Sequence, residues 1–356
     1  MTPKHLLTIA FFCLLVALPV GLIISAQAQK TSTKRQDNKV ANKDSASSNY
    51  RISGPYTHKN LTIFLVHGKD RLPGKNFLTL QEALAQKKVR VYETKDVNEL
   101  AIKNFSNQDV YVQAGDIVRG GEQDRMISID FIVPPRSGRM AIAAFCVESG
   151  RWNKRGEEQA AYFSSSENFA ATKELKLAAK SRQSQDAVWE KVSTAQAKLT
   201  QNLSVNVVSA ASPSSYELAV ENSKVKETAA SYVNALDSIL RNKPDVIGFA
   251  FAINGNVNSA DIYASHTLFA KLWPKLLKAT AVEAIAELDQ TAKAEPVVEE
   301  TIHAFLADSE RPRSKAKEVT PRVRVVTRED DKNAFFETQD RSQKDAWVHR
   351  NYIRKQ

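Results

Sequence analysis

Apolar residues first become dense at 61–66 (LTIFLV), a run about as long as one buried strand. Residues 29–58 upstream carry few large apolar side chains and cannot bury enough surface to offset the entropy of ordering. That stretch is therefore expected to be a flexible basic linker. Thr79-Leu80-Gln81-Glu82 has the spacing of a capping box and predicts a short helix through Gln86. VRVYET (89–94) alternates as a strand, and ELAIKNF (99–105) with DVYVQAG (109–115) predicts a hairpin joined near Asn107. MISIDFIV (126–133) and MAIAAFCV (140–147) predict two further strands, separated by a Pro-Pro-Arg-Ser-Gly turn.

The pattern changes after Trp152. Residues 153–182 are polar and predict a loop with a weak helix near 170–180. Val188, Val192, Ala195 and Leu199 then recur at helical spacing across 185–202, and a second helix over 224–242 is stopped by Pro244. In DVIGFAFAINGNVNSADIYA (245–264), Asn254-Gly255 between apolar runs is a two-residue hairpin signal. Ser265 opens a helix bearing Leu268, Phe269, Leu272, Leu276 and Leu277, with Pro274 expected to kink it; another helix covers 297–307. RVRVVTRE, AFFETQD and AWVHRNYI, in the basic tail 309–356, alternate as strands that would complete the domain. No internal repeat appears. The expectation is a single α+β domain over 59–308 plus this tail, mainly antiparallel in its β-rich first half, with helices and a hairpin in its second.

The chain ends bear on location. Lys4 and His5 precede an apolar run over 6–24, followed by Ser25-Ala26-Gln27-Ala28, so 1–28 reads as a signal peptide cleaved before Gln29. The run is also about long enough to span a bilayer, so an uncleaved anchor is the alternative; Pro19 and Gly21 favour cleavage. Removal of Cys13 leaves Cys146 alone, without an intramolecular disulfide. The net charge of +10 is confined to the ends: residues 30–59 and 309–356 each contribute +5 and Lys4 one more, leaving 60–308 near neutral with 29 basic and 30 acidic residues. A neutral centre without a basic aromatic stripe argues against nucleic acid as a partner. The basic ends could touch an anionic envelope surface, although solvated flanks are the plainer reading.

Candidate chemistry concentrates in 114–152, where Asp116, Arg119, Asp124, Arg125, Glu148 and Arg151 lie among glycines and apolar runs. Gly120 and Gly121 allow unusual backbone and close ligand approach, and an arginine such as Arg125 can hold a carboxylate or phosphate through paired hydrogen bonds. The competing reading is a tight turn held by arginine–aspartate pairs. Asp124 and Glu148 are weak candidates for an acid–base pair of the glycosidase kind. Cys146 lacks a recognisable basic partner and reads as a buried, inert thiol. Trp152, Trp189 and Trp273 read as core anchors more readily than as ligand platforms, and the histidine of AWVHRNYI receives no role. No metal-ligand spacing occurs, and neither metal nor cofactor is expected.

GDIVRGGEQDR (115–125), FCVESGRW (145–152), QDAVWEKV (185–192) and LFAKLWPKLLKATAVEA (268–284), in that order, resemble a bacterial family. It is the ARG and rhodanese-phosphatase-superfamily-associated protein domain, where ARG denotes ADP-ribosylglycohydrolase; the resemblance covers roughly 54–306. Its matched positions are Gly120, Gly121, Gln123, Asp124, Arg125, Cys146, Glu148, Gly150, Arg151 and Trp152. The resemblance implies no established activity, and its name points to ADP-ribose or nucleotide-derived ligands. An export signal sets this chain apart from an intracellular ADP-ribose setting. The leading expectation is an exported protein that binds a small anionic or polar ligand through Arg119, Gly120, Gly121, Gln123, Asp124, Arg125, Glu148, Arg151 and Trp152. The alternatives are a hydrolase acting on a sugar or nucleotide-like substrate, and an envelope interaction protein without a catalytic site. Intact mass of the protein recovered from the envelope or medium is expected to start at Gln29; a mass including 1–28 would mean an uncleaved anchor.

Overall fold

A computed structural model describes residues 50–292, 295–344 and 346–355. The proposed signal peptide and residues 29–49 of the proposed linker lie outside them. The chain opens with β1 (Arg51–His58), β2 (Leu61–His67), β3 (Leu78–Thr79), α1 (Leu80–Ala85), β4 (Val89–Asp96) and β5 (Glu99–Asn104). Six further strands follow: β6 (Val110–Val112), β7 (Asp116–Gly120), β8 (Arg125–Ile127), β9 (Phe131–Val133), β10 (Met140–Cys146) and β11 (Tyr162–Phe169). Helices α2 (Lys173–Leu177), α3 (Gln185–Leu203), α4 (Tyr216–Val220) and α5 (Ser223–Leu236) precede the hairpin β12 (Val246–Ile253) and β13 (Asn256–Tyr263). After α6 (His266–Ala286) and α7 (Glu299–Ser309) come β14 (Ser314–Glu318), β15 (Val323–Glu329), β16 (Asn333–Asp340) and β17 (Ala346–Arg354). The fold is α+β.

Three sheets organise these strands. An eight-stranded antiparallel sheet runs β1-β2-β12-β13-β17-β16-β15-β14. Strands β10-β5-β4-β11-β7-β8 close into a barrel, and β3-β6-β9 form a small sheet in which β3 and β6 are parallel. The apolar run of β12 has no polar alternation because every residue in it is buried. Helix α6 packs on β12 and β13, while α7 packs on β1, β13 and β16. The capping box opens α1 as its spacing requires: the Thr79 hydroxyl accepts from Glu82 N and Glu82 accepts from Thr79 N.

Several expectations need correction. Residues 51–58 are not linker but an edge strand, paired with β2 from Arg51↔His67 to His58↔Leu61. ELAIKNF and DVYVQAG form no hairpin, because β5 pairs with β4 and β10 in the barrel whereas β6 joins β3 and β9. Asn104 turns the chain between them, its side-chain amide donating to the carbonyls of Gln108, Val133 and Pro134 at 2.7–3.2 Å. The stretch 153–182, expected as loop and weak helix, contains barrel strand β11 and then α2, whose last turn widens into a π-helical turn over Ala178–Arg182. The tail strands belong to the large sheet, where β17 pairs with β13 from Ser259↔Ile353 to Tyr263↔His349.

One buried network ties barrel to sheet. His349 of β17 contacts Asp130, in the turn from β8 to β9, at 2.6 Å through Nδ1, and Asp261 of β13 at 3.0 Å through Nε2. Asp130 also accepts from Ala114 N, just before β7, at 2.8 Å. Tyr263 stacks on the imidazole with centroids 4.4 Å apart and donates its hydroxyl to Gln113.

Candidate functional site

Barrel pairing explains why the two charged segments meet. Strand β8 lies between β7 (Val118↔Arg125) and β10 (Cys146↔Arg125), so the loop after β7 and the loop after β10 leave the barrel at one end. They are stitched together by Val147 N to Asp124 O at 3.0 Å, Gln123 Nε2 to Glu148 O at 2.9 Å and Asp124 N to Glu148 Oε2 at 3.3 Å. Gly121 has φ +57°, and a Cβ there would lie 2.4 Å from Phe163 Cζ and 2.5 Å from Glu93 Oε2. Its conservation of space is steric: the loop closes onto β11 and β4, and any side chain would force it open. Gly150 N donates to Ser214 Oγ at 2.9 Å, which docks the second loop on the segment leading into α4.

The charges form two layers. In the inner layer Asp124, Glu148 and Arg125 are buried. Arg125 donates to the carbonyls of Asp96 and Val97 at 3.2 and 2.8 Å and to Glu93 Oε1 at 3.3 Å, so it clamps the β4–β5 turn and presents nothing to solvent. Arg151 donates through Nε to Glu148 Oε2 at 2.8 Å, and its Nη2 contacts both Glu148 at 2.8 Å and Asp124 at 3.4 Å. Arg155 reaches Asp124 at 3.0 Å, Glu148 at 3.6 Å and Glu158 at 2.7 Å. The outer layer continues through Arg119, which contacts Glu158 at 3.6 Å, Glu217 at 3.9 Å and Glu221 at 2.7 Å. Arg119 keeps 28% of its side-chain surface, and Trp152 is 50% exposed beside this layer.

Burial pushes the Asp124 carboxyl up to about 7; Arg155 and Arg151 oppose the shift and Glu148 adds to it. Glu217 is likewise raised by burial, against hydrogen bonds from Ser166 at 2.5 Å and Asn168 at 3.0 Å. Burial drives the Cys146 thiol up to about 11, and its sulfur faces the Val97 carbonyl, which suits packing and not nucleophilic attack.

All nine residues expected at the site therefore gather at one barrel end, but in unequal positions. Gly120, Gly121, Gln123, Asp124, Arg125 and Glu148 form a buried frame closed by the half-buried Arg151, whereas Arg119 and Trp152 reach the surface. The expectation that Trp152 anchors a core fails, because its ring lies outside; Trp273 is the buried one. Arg155, Glu158, Glu217 and Glu221 were missed, since they sit in segments whose polarity reads as loop or helix surface. No group of three or more metal-binding side chains occurs among the described residues.

A family model described as the ARG and Rhodanese-Phosphatase-superfamily-associated Protein domain, ARPP-1, matches residues 49–353, and the chain belongs to that family. No curated protein and no solved structure matches it.

The raised Asp124 value makes a pH prediction. A carboxyl whose folded value exceeds its unfolded one, about 3.9, holds full stability below that value and loses it as pH rises through the folded value. Unfolding by urea between pH 4 and 8 should thus show wild type losing on the order of 3 kcal/mol relative to Asp124→Asn. Parallel stability curves for the two proteins would contradict the assignment.

Proposed function

We propose that this member of the ARPP-1 family is an exported protein that binds a small hydroxyl-rich ligand, of sugar type, where the loops 120–125 and 148–158 join. One observation carries the reading. Four buried acceptor oxygens lack a hydrogen-bonded donor there, Gln123 Oε1, Asp124 Oδ2, Glu148 Oε1 and Glu158 Oε2, against two buried donors without an acceptor, Arg125 Nε and Arg155 Nη1. Asp124 Oδ2 and Glu148 Oε1 keep only charge contacts with Arg155, at 3.0 and 3.6 Å. Buried acceptors without donors are costly and rare, and such a concentration suits a ligand that brings donors.

Charge refines the class of ligand. Six carboxylates (Glu93, Asp124, Glu148, Glu158, Glu217 and Glu221) face four guanidinium groups (Arg119, Arg125, Arg151 and Arg155). Burial pushes Asp124 and Glu217 toward their neutral forms, so the other four carboxylates balance the four guanidinium groups; no cation is left free for an anionic ligand and neutral hydroxyls are favoured, with Trp152 offering an exposed aromatic face for a sugar ring. The surface-contact reading has less support, because Arg322, Arg341, Arg350 and Lys355 of the basic tail are ion-paired within the sheet.

A hydrolase is the second reading, favoured by the value of Asp124 near 7, which suits a general acid. Both carboxylates contact one Arg151 nitrogen, which leaves no room for the water-spaced pair of an inverting glycosidase.

Thermal-shift measurements on the mature chain with pentoses, hexoses and inorganic phosphate separate these readings. At least one sugar is expected to raise Tm by about 2 °C or more at saturation. The shift should disappear in Trp152→Ala and in Arg155→Ala, with phosphate inactive. Phosphate outperforming every sugar, or a shift that survives both variants, would overturn the proposal. Product release that stops in folded Glu148→Gln would establish the hydrolase instead.

A further inference from the structure

The outer wall of the barrel carries a second concentration of charge, away from the loops 120–125 and 148–158. Alternation along β4, β5 and β10 sends Val91, Leu100, Ile102 and Ile142 into the barrel interior. It turns Arg90, Tyr92, Ala101, Lys103 and Ala141 outward, with Tyr162 of β11 beside them. Register makes these one surface. Arg90 pairs with Lys103, Ala101 lies between Tyr92 and Ala141, and Tyr162 pairs with Tyr92. Arg139 directly precedes β10, whose Met140 pairs with Ile102, so it joins the wall beside Lys103.

The three cations of this wall rest on aromatic rings. Arg139 lies 4.0 Å from the Tyr92 centroid, Arg90 4.6 Å from that of Tyr162, and Lys103 5.2 Å from that of Phe105. Stacking of this kind orients a cation without neutralising it. Among the described residues no carboxylate lies within 4.0 Å of any of the three. The exposed acids of β4 and β5, Asp96 and Glu99, pair with each other at the far end of the wall. Glu99 is four residues from Lys103, about 13 Å along the strand.

The remaining groups narrow the kind of partner. Phe105 and Tyr162 each keep 38% of their surface exposed, whereas the centre of the wall holds only the methyl groups of Ala101 and Ala141. A single nucleic-acid strand needs open ring faces for its bases and a groove that follows its backbone. Here guanidinium groups already lie against Tyr92 and Tyr162, and the cations spread over three neighbouring strands, about 10 Å across. Cations interleaved with half-exposed aromatic rings on a strand face match the headgroup layer of an anionic bilayer, where phosphates meet the first and amphipathic rings settle.

We propose that this wall docks the protein on an anionic phospholipid membrane. Arg90, Lys103 and Arg139 contact lipid phosphates, and Phe105 and Tyr162 enter the headgroup layer. The surface is hidden in the sequence because its residues come from β4, β5, β11 and the approach to β10, within a stretch that is near neutral overall. It shares no residue with the proposed sugar site.

Co-sedimentation of the mature chain with phosphatidylglycerol-containing and pure phosphatidylcholine vesicles tests the proposal. Binding is expected to the phosphatidylglycerol vesicles alone, and to weaken as salt rises from about 0.05 to 0.5 M. Arg90→Ala, at an exposed position where folding is not at stake, should lower the affinity about threefold or more, and Arg90→Ala/Lys103→Ala/Arg139→Ala about tenfold or more. Lys226→Ala/Lys315→Ala/Lys317→Ala removes the same charge from exposed positions on α5 and β14 and should cost less than about twofold. The proposal is overturned if neither vesicle binds, if phosphatidylcholine binds equally well, or if the two triple variants lose affinity alike. Tighter binding of a single-stranded oligothymidylate than of the vesicles, lost in the barrel-wall variant, would assign the wall to nucleic acid instead.

Discussion

The bridge from Asp130 through His349 to Asp261 is the constraint on which the arrangement of this protein depends. Its three residues come from the turn between β8 and β9, from the middle of β17 and from β13, so one imidazole ties barrel, small sheet and large sheet together. Burial alone would raise the two acids and lower the histidine, yet their mutual attraction holds both carboxyls below the usual range and His349 above its own. Buried charges of this kind add little net stability when complete, but removal of one partner strands the others at about 3–5 kcal/mol. Such a network acts mainly on specificity: only one docking of barrel on sheet satisfies all three groups. Asp130 also accepts from Ala114 N, and β7 begins two residues later, so the bridge sets where Arg119 and Gly120 emerge.

The charged barrel end repeats this logic closer to the surface. Its inner residues, Asp124, Glu148, Arg125 and Arg151, spend their hydrogen bonds on each other and on loop carbonyls. They act as a frame that fixes the loops after β7 and β10. The groups with surface to offer are Arg119 and Trp152, and the frame's surplus of acceptors biases what they can hold. A dense cluster of charges in a sequence thus marks a place where charges are fixed, and the chemistry follows from which atoms stay unmatched.

Local signals survived the transition to structure and long-range ones did not. The Asn254-Gly255 turn and the Thr79/Glu82 box depend on neighbours within four residues, and both are readable for that reason. Barrel closure pairs β4 with β11 and β5 with β10, contacts that no local pattern encodes. Strand β11 escaped notice because its buried face includes Ser166 and Asn168, which hydrogen-bond Glu217, so YFSSSENF lacks apolar alternation. Strand β1 reads as linker in sequence because an edge strand leaves half its side chains to solvent. That the residues of 119–125 and 148–152 crowd together is legible because their type and density are visible in sequence. His349 was passed over because its meaning lies in two acids 219 and 88 positions away.

The most direct test is the protonation state of His349 in protein labelled with ¹⁵N-histidine, its resonance assigned by His349→Gln. A bridge between two ionised aspartates requires protons on both ring nitrogens, with a folded value above 6.5. The stabilisation is then complete below the unfolded value and lost as pH rises through the folded one. The account predicts imidazolium signals from His349 that persist to higher pH than those of a histidine in the unfolded chain. A His349 that titrates at or below 6.5 would contradict it.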